Sequence, residues 1–534
     1  MTAPQGGVHR GDSIPAVLDL AEERHGDRVA IRDGGASLTY AGLASAAREF
    51  GAALVGSGIG PGDRVGLWAF NCAEWVIAAL GTFGAGAVLV PVNTRFKGRE
   101  AAEILGRSGA RAVITITEFL GHDHVAMLQD SGVDLPALET VVAARGEATG
   151  RSVAWHEFLA RSGPGARAEL RRRSAGLGPG DRSDILFTSG TTGMPKGVVM
   201  THGRTLRVAT DWVAMTGLTA GDTYLMVNPY FHMFGLKAGI LASVVAGATM
   251  LPEAVFDVDR VLSAVQRERV TVLPGPPTLY QSVLDHPARH HHDLSTLRVA
   301  VTGAADIPVE LIRRVHDELP FTRIVTGYGL TEAGTACGTS DDDDPEAIAT
   351  TVGRPRPGFE VRLVDAAGAD VGPPEAGEVL LRGPSVMQCY LDDPVETAKA
   401  LSDRGWLRTG DLGTFDASGR LKIVGRVKDM FIVGGFNAYP AEIENVLLRH
   451  PAVQQAAVIG IPDGRLGEVG MAFVVPAQPV TPDEIIQWSR QEMANYKVPR
   501  AVEIVDELPL NATGKVVKDD LRGRAAARRQ GASA

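Results

Sequence analysis

Short apolar runs alternate with stretches of helical periodicity along the first two thirds of the chain. The runs include RVGLWAF, RAVITIT, DILFTS, LRVAVTG and RIVTGYG, in which most consecutive positions are hydrophobic. Strands that are apolar on both faces and separated by helical segments are typical of parallel sheets covered by helices. The pattern therefore predicts an α/β fold for this part of the chain.

The pattern changes near residue 351. The runs FEVRLVD, GEVLLRG and GRLKIVG are short, alternate apolar and polar positions, and are bounded by glycine, proline or aspartate, which predicts a small antiparallel region. After GRVKD, residues 425–429, a helical segment YPAEIENVLLRH and two strand-like runs follow. A separate unit of about a hundred residues is expected here. We place the boundary between domains 1–425 and 426–534.

Composition supports a packed globular enzyme of at least two domains. The 534 residues are 45% hydrophobic and 22% charged, and one core seldom extends over so long a chain. The net charge of −10 argues against nucleic acid and anionic membrane as partners.

Three further observations favour a cytoplasmic location. Cys72, Cys337 and Cys389 are too far apart for a disulfide framework or a clustered metal site. No secretory signal is visible at the N-terminus. The most apolar segment, 65–93, is interrupted by Asn71 and Glu74, so we predict a buried helix and strand and not a membrane span.

The stretch FTSGTTGMPKGVV, residues 187–199, follows a predicted buried strand and combines three glycines, four hydroxyl side chains and a lysine. Such a turn offers backbone N–H groups, hydroxyl donors and a positive charge, which favours a bound polyphosphate. The spacing differs from that of a Walker loop, which disfavours a P-loop kinase or GTPase. The alternative is a flexible surface loop.

Five further blocks follow in order: NPYFHMFG, GYGLTEAG, GWLRTGDLG, GRVKDMFIVGGFNAYPAEIE and LPLNATGK. With the glycine-rich stretch, they resemble the adenylate-forming superfamily of acyl-CoA synthetases, adenylation domains and luciferases. The resemblance extends from DRVAIRDGGASLTYAGLA to Lys515. It implies a large N-terminal domain of two parallel α/β subdomains with a small β-barrel-like region, and a small mobile α+β C-terminal domain.

The resemblance also implies an ATP-dependent acyl-CoA ligase. A carboxylate would attack the α-phosphate of ATP, giving acyl-adenylate and pyrophosphate, and a thiol would then displace AMP. No cysteine lies in a motif suited to nucleophilic catalysis and no carrier segment is visible, so coenzyme A is the expected thiol. ATP, Mg²⁺ and coenzyme A are therefore the expected small molecules, and a homodimer is compatible with the resemblance.

By resemblance, the phosphates of ATP would contact the glycine-rich stretch. The residues concerned are Thr188, Ser189, Gly190, Thr191, Thr192, Gly193 and Lys196. Glu332 is the expected Mg²⁺ ligand and Thr191 a second contact, since hard cations prefer oxygen. The alternative for Glu332 is an acid near the start of a helix, next to Thr331.

The adenosine would contact a second set of residues. They are Gly303, Ala304, Ala305, Gly327, Tyr328, Gly329, Thr331, Asp411 and Arg426. Tyr328 would stack on adenine, and Asp411 would accept from the ribose hydroxyls. Taken alone, an aspartate after glycine is more often a turn residue.

The resemblance assigns the remaining roles to both domains. Lys515 would reach the carboxylate and the α-phosphate, and His232 would position the carboxylate in the acyl pocket, although a lone histidine in apolar surroundings is usually a core group. The C-terminal domain would turn about Lys428 between the two half-reactions. Gly434 and Gly435 would then flank the pantetheine arm, since glycine leaves room for a thin chain.

The expected acyl pocket is largely apolar. Tyr230, Phe231, Phe234 and Tyr280 would supply aromatic walls, and Lys237 would be either a polar exception or directed away. Several stretches resemble the steroid-degradation branch of the acyl-CoA ligases, which implies a bicyclic indane propanoate from cholesterol catabolism.

Four other functions stay open at this point. They are a medium- or long-chain fatty acyl-CoA ligase, a free-standing enzyme that loads a separate acyl carrier protein, a luciferase-like oxygenase and a non-enzymatic nucleotide sensor.

Overall fold

The structure, a computed structural model, describes residues 13–188, 195–303, 309–433, 436–510 and 516–531. A nine-stranded sheet forms one layer of these described residues. In spatial order its strands are Arg354–Pro355, Gly334–Gly338, Arg323–Leu330, Val299–Thr302, Val272–Pro274, Thr223–Met226, Thr249–Pro252, Val29–Asp33 and Ala36–Thr39. The central pairs are parallel, and the strands at the two edges pair antiparallel.

A second sheet has eight strands among the described residues. In spatial order they are Cys389–Tyr390, Lys196–Thr201, Arg182–Thr188, Val88–Pro91, Arg64–Trp68, Ala110–Ile116, Thr140–Arg145 and Val153–Ala154. Its pairs are parallel except for the two at one edge, which involve Lys196–Thr201. The α/β prediction is confirmed.

The change of pattern near residue 351 corresponds to a change of topology. Four antiparallel strands follow, Glu360–Val364, Gly377–Arg382, Leu407–Phe415 and Leu421–Arg426. The C-terminal sheet consists of Phe436–Ala438, Phe431–Val433, Gly467–Pro476, Val453–Asp463 and Ala501–Ile504. This sheet has its own hydrophobic core, which includes Phe431, Ile443 and Val474.

Helices cover the sheets. Those before the antiparallel region are Ile14–His25, Tyr40–Gly56, Ala73–Gly84, Gly98–Ser108, His124–Gln129, Trp155–Leu159, Pro164–Gly176, His202–Thr216, the π-helix Phe234–Leu241, Ala242–Ala246, Val258–Glu268, Pro277–Asp285, the 3₁₀-helix Pro287–His291, Val309–Glu318 and Pro345–Thr350. The helices that follow the first strand of the antiparallel region are Pro394–Ala400, Pro440–Leu447, Pro482–Glu492 and Lys518–Gly531.

The apolar segment 65–93 forms part of the core between the two large sheets. Helix Ala73–Gly84 is buried continuously from Trp75 to Phe83 and belongs to a hydrophobic cluster that includes residues of both sheets. The side chain of Asn71 donates to the carbonyls of Met226 and Asn228 at 2.9 Å each, so this interrupting polar group is satisfied. None of the described helices is long and apolar enough to cross a bilayer.

Candidate functional site

Thr188 and Lys196 are brought together by an antiparallel pair of strands. Strand Arg182–Thr188 ends at Thr188, and Lys196 begins the strand that pairs with it, so that the two residues are direct partners. The intervening candidates, Ser189, Gly190, Thr191, Thr192 and Gly193, lie outside the described residues. The predicted buried strand before the glycine-rich stretch is confirmed, and the strand that pairs with it begins with Lys196.

The ammonium group of Lys196 is held by two side chains from one short segment. It forms an ion pair with Glu396, and it lies 5.2 Å from the ring centroid of Tyr390. Lys399 also contacts Glu396, with 2.6 Å between Nζ and Oε1. The hydrogen bond from Lys196, followed by that from Lys399, lowers the pKa of Glu396 to about 2.

Glu332 lies in the turn that joins strands Arg323–Leu330 and Gly334–Gly338. The alternative prediction, an acid at a helix start next to Thr331, is therefore wrong. The hydroxyl group of Tyr390 donates to Oε1 of Glu332 at 3.0 Å. Burial raises the pKa of Glu332, and the hydrogen bond from Tyr390 and the charges of Arg426 and Lys196 oppose this rise. Glu332 is thus a partly buried carboxylate close to two cations.

Asp411 joins Tyr328 to Arg426. The hydroxyl group of Tyr328 donates to Oδ2 of Asp411 at 2.5 Å, and Nε of Arg426 lies 3.0 Å from Oδ1. Asp411 and Arg426 face each other across antiparallel strands, so Asp411 belongs to a strand and is not a turn residue. Burial, followed by the negative charge of Asp411, raises the pKa of Tyr328.

The candidate glycines next to Tyr328 have close backbone neighbours. A Cβ atom at Gly329 would lie 2.1 Å from the carbonyl oxygen of Gly334, and one at Gly327 would lie 3.0 Å from that of Cys337. At Gly303 the nearest contact would be an ordinary 3.6 Å. Strand packing therefore explains two of these glycines, and their role beside a nucleotide stays a prediction. Ala304 and Ala305 lie outside the described residues.

His232 is partly buried just before the π-helix Phe234–Leu241. The backbone N–H of Phe234 donates to Nδ1 of His232 at 3.2 Å. Nδ1 is therefore an acceptor, so a neutral ring carries its proton on Nε2. This tautomer makes Nε2 a hydrogen-bond donor, which suits the predicted positioning of a carboxylate.

Two of the four aromatic residues predicted to line the acyl pocket are core residues instead. Tyr230 is 0% exposed and Tyr280 is 1% exposed, and the hydroxyl group of Tyr280 is bonded to the backbone of strands on both sides, at Leu273 and Val301. Phe231 and Phe234 are only partly buried. The aromatic composition indicated apolar surroundings but not which residues face a ligand.

Lys237 is directed into the protein. Its Nζ lies 2.8 Å from Oδ1 of Asp184, and neither side chain has any exposed area. The contact is electrostatic and not a well-aligned hydrogen bond. The hydroxyls of Ser183 and Thr205 each donate to Oδ2 of Asp184 at 2.6 Å. The question left open by the sequence is thereby answered, since Lys237 pairs with strand Arg182–Thr188.

Lys428 lies exposed in the turn between the antiparallel region and strand Phe431–Val433. The next residue, Asp429, accepts a hydrogen bond of 2.6 Å from Arg522 of helix Lys518–Gly531. The other residues predicted to act with this segment, Gly434, Gly435 and Lys515, lie outside the described residues.

Tyr390 and Glu396 are not among the residues predicted from the sequence. The order Asp393, Pro394, Glu396 signals a helix start, with an N-cap, a proline at the first position and an acid at the third. This signal explains the helix but says nothing of Lys196, which lies 200 residues away in the sequence.

Two family models match the chain. The model of the AMP-binding enzymes covers residues 18–391, and the model of the AMP-binding enzyme C-terminal domain covers residues 442–515. The chain belongs to the AMP-binding enzymes. This AMP-binding enzyme is an ATP-dependent acyl-CoA ligase that acts through an acyl-adenylate, as its full-length relatives indicate.

Two curated relatives share one name, 3-[(3aS,4S,7aS)-7a-methyl-1,5-dioxo-octahydro-1H-inden-4-yl]propanoyl:CoA ligase. The protein from Rhodococcus jostii (strain RHA1) is 46% identical over 515 residues, which is 96% of this chain and 98% of the relative. The protein from Mycobacterium tuberculosis (strain ATCC 25618 / H37Rv) is 48% identical with the same coverage. Among solved structures, the anthranilate CoA ligase AuaEII in complex with anthranoyl-AMP superposes with a TM-score of 0.83 at 29% identity, covering 97% of this chain and 99% of that one.

Proposed function

We propose that the acyl substrate of this enzyme is a hydrophobic, ring-bearing propanoate of the bicyclic indane type produced by steroid catabolism. The support is identity of 46% and 48%, over nearly the whole chain, to two ligases named for such a substrate. The partly buried Phe231 and Phe234 next to His232 provide apolar surface beside a hydrogen-bond donor. This combination suits an acid whose carboxylate is its main polar group.

One observation carries the proposed assignment of residues. Tyr390 links Glu332 to Lys196, because its hydroxyl group donates to Oε1 of Glu332 at 3.0 Å and its ring centroid lies 5.2 Å from the ammonium group of Lys196. Burial raises the pKa of Glu332, and the charges of Arg426 and Lys196 oppose this rise. Lys196 is the residue proposed to contact the leaving phosphates, and Arg426 pairs with the aspartate proposed to hold the ribose. Glu332 is thus linked to residues proposed for both the phosphate end and the ribose end of a bound ATP molecule.

Glu332 suits a Mg²⁺ ion that arrives with ATP. The described residues contain no group of three or more metal-binding side chains. Mg²⁺ bound to a nucleotide needs only one or two carboxylates, because phosphates and water supply the other oxygens. Glu332, with Thr191 as its proposed second contact, would hold the ion, which supplies positive charge beside the phosphates.

Different residues are assigned different roles in the first half-reaction. An oxygen of the carboxylate attacks the α-phosphorus, and the bond to the bridging oxygen of pyrophosphate breaks. Lys196 and the glycine-rich stretch neutralise charge that develops on the leaving group, and preorganised donors of this kind are a large source of catalysis. His232 orients the carboxylate through Nε2, and Lys515 neutralises the oxygens shared between carboxylate and α-phosphate.

In the second half-reaction the thiolate of coenzyme A attacks the acyl carbon, and AMP leaves with the bonding electrons. We propose that the segment after Lys428 turns between the two steps, withdrawing Lys515 and presenting Gly434 and Gly435. Separation of the steps by a domain rotation keeps the mixed anhydride away from water. The cytoplasm, which supplies ATP and coenzyme A, is the proposed location.

A panel of acids tests the substrate. AMP, ADP and acyl-CoA are measured with and without coenzyme A, using the indane propanoate, its carboxamide as a matched control, and a series of straight-chain fatty acids. We expect kcat/KM to be highest for the indane propanoate, with AMP and acyl-CoA as products. A higher value for a fatty acid contradicts the proposed substrate, and adenylate formation without acyl-CoA contradicts coenzyme A as the acceptor.

A further inference from the structure

Residues 387–399, the bracing segment, lie between Lys196 and Glu332 and contact both. Glu396 pairs with the ammonium group of Lys196, and Tyr390 donates to the carboxylate of Glu332. The backbone N–H of Met387 also donates to the carbonyl oxygen of Glu332 at 2.6 Å. One short segment thus contacts both residues proposed to face the phosphates.

The bracing segment is itself held firmly. Its strand Cys389–Tyr390 pairs antiparallel with the strand that begins at Lys196, and Leu391 donates to the carbonyl oxygen of Gly197 at 2.7 Å. The hydroxyl oxygen of Thr397 accepts from the backbone N–H of Tyr390 at 2.9 Å. The helix that carries Glu396 is therefore fixed to the strand that carries Tyr390.

The contact between Lys196 and Glu396 leaves the lysine able to bind an anion. An ammonium group has three N–H donors, and one carboxylate contact leaves two of them for another partner. The ring of Tyr390 adds an electrostatic attraction at 5.2 Å. The side chain of Lys196 is only 15% exposed, so these contacts restrict a chain that would otherwise sample many rotamers.

The place of Glu396 near the start of its helix does not explain its contact with Lys196. Its contact with Lys399 is the usual i, i+3 pair, and its place in the first turn is favourable for a carboxylate. Neither effect requires a lysine from a distant strand. Glu442 offers a direct comparison, because it occupies the same third position of helix Pro440–Leu447 and pairs with the distant Lys497.

We propose that Glu396 and Tyr390 are positioning residues of the adenylation step, with Glu396 fixing the ammonium group of Lys196 and Tyr390 fixing the carboxylate of Glu332. The inference rests on the roles of Lys196 and Glu332 given under the proposed function. Neither Glu396 nor Tyr390 needs to touch the reacting atoms, since each acts through its partner.

The variants Glu396→Gln, Glu396→Asp and Lys196→Met test the first half of the proposal. Displacement of a binding group by about 1 Å can slow a reaction up to 100-fold. We expect Glu396→Gln to lower kcat for acid-dependent pyrophosphate exchange roughly 10- to 100-fold, while KM for ATP changes less than about threefold, because the charge of Lys196 is retained. Glu396→Asp retains a carboxylate and should recover part of the loss.

The matched control is Glu442→Gln, which breaks a similar lysine pair and should leave kcat within about twofold. The double variant Lys196→Met, Glu396→Gln should be no slower than Lys196→Met alone, because residues that act as a unit are non-additive. Multiplicative losses, or an unchanged kcat in Glu396→Gln, overturn the role of Glu396. If Lys196→Met itself keeps full activity, the phosphate assignment fails together with the inference.

Tyr390→Phe tests the second half, because it removes the hydroxyl group and keeps the ring beside Lys196. We expect the Mg²⁺ concentration for half-maximal pyrophosphate exchange to rise roughly 10- to 100-fold, in line with the loss of one hydrogen bond to a charged group. Glu396→Gln should leave this concentration unchanged within about twofold. An unchanged Mg²⁺ dependence in Tyr390→Phe, or an equal shift in both variants, overturns the role of Tyr390.

Discussion

The hydroxyl group of Tyr328 donates a 2.5 Å hydrogen bond to Asp411, which also pairs with Arg426. Tyr328 and Asp411 are both buried. The residue proposed to stack on adenine and the residue proposed to hold the ribose are thus directly connected. A substitution of Tyr328 should therefore also affect how Asp411 binds the ribose.

Tyr328→Phe should weaken ATP binding more than it slows chemistry. The loss of a hydrogen bond to a charged group is worth about 1.5 to 3 kcal/mol, so we expect KM for ATP to rise by about 10- to 100-fold, with kcat changed less. Pyrophosphate exchange at varied ATP concentration measures both constants. Tyr40→Phe is the control, since the Tyr40 hydroxyl bonds to the carbonyls of Ser243 and Ala248 in the core. An equal rise in KM in both variants contradicts a local effect.

Lys237→Met should strongly destabilise the protein. It leaves Asp184 buried without its cation, and breaking a buried pair in this way costs about 3 to 5 kcal/mol. Adding Asp184→Asn should recover part of this loss, because no unpaired charge then remains. Denaturant unfolding of Lys237→Met, Asp184→Asn and the double variant measures the effect.

The control for this pair is Arg48→Met, because Arg48 pairs with Asp19 and Glu22 at the surface. Exposed pairs contribute about 1 kcal/mol or less. Additive losses in the Lys237 and Asp184 variants would show that the two side chains do not act as a pair.

Stability should fall between neutral and acid pH in part because of His202. Burial lowers the pKa of His202 to about 4, against the opposing charges of Asp184 and Asp181, from an ordinary value of 6.5. The unfolded chain then binds more protons between these two values, so the free energy of unfolding decreases as the pH falls from 6.5 towards 4. The contribution is about 3 kcal/mol over the full range.

Denaturant unfolding at pH 7 and pH 5 checks the role of His202. In His202→Asn the amide oxygen can still accept from the backbone N–H of Ile14, which bonds to Nδ1 of His202 in this structure. We expect this variant to lose less stability between the two pH values than the unchanged protein. Equal losses would assign the pH dependence to other groups.

Lys515→Ala should separate the two half-reactions. Without this charge, adenylate formation should fall by about 100-fold or more, whereas acyl-CoA formation from supplied acyl-adenylate should change little, because Lys515 is proposed to be withdrawn in that step. Pyrophosphate exchange and acyl-CoA formation are measured separately. Equal loss of both activities contradicts rotation about Lys428.

Local patterns in the sequence predicted the strands well. Runs such as DILFTS and LRVAVTG correspond to strands Arg182–Thr188 and Val299–Thr302, because burial on both faces requires apolar residues at nearly every position. Helix Ala73–Gly84 was equally evident, since it lies between two sheets. Continuous burial thus leaves a clear pattern in the chain.

Contacts between distant segments were harder to predict. Glu396 and Tyr390 resemble a helix acid and a strand aromatic in the sequence, and only the pairing of Cys389–Tyr390 with Lys196–Thr201 brings them to the site. The prediction that Tyr280 lines the acyl pocket was wrong because residue type alone does not show where the hydroxyl group finds its partners. Its ring suits a pocket wall, but its hydroxyl finds partners on two neighbouring strands and stays in the core.

The ion pair between Asp429 and Arg522 bears on how the last hundred residues can move. The aspartate follows Lys428 directly and is joined to the terminal helix, so both partners stand on the same side of the pivot. A rotation about Lys428 would move Asp429 and Arg522 together and would leave their ion pair intact. If the proposed rotation takes place, the free-energy difference between its two orientations must then come from the surfaces that separate and meet, and ligands bound there would shift the equilibrium.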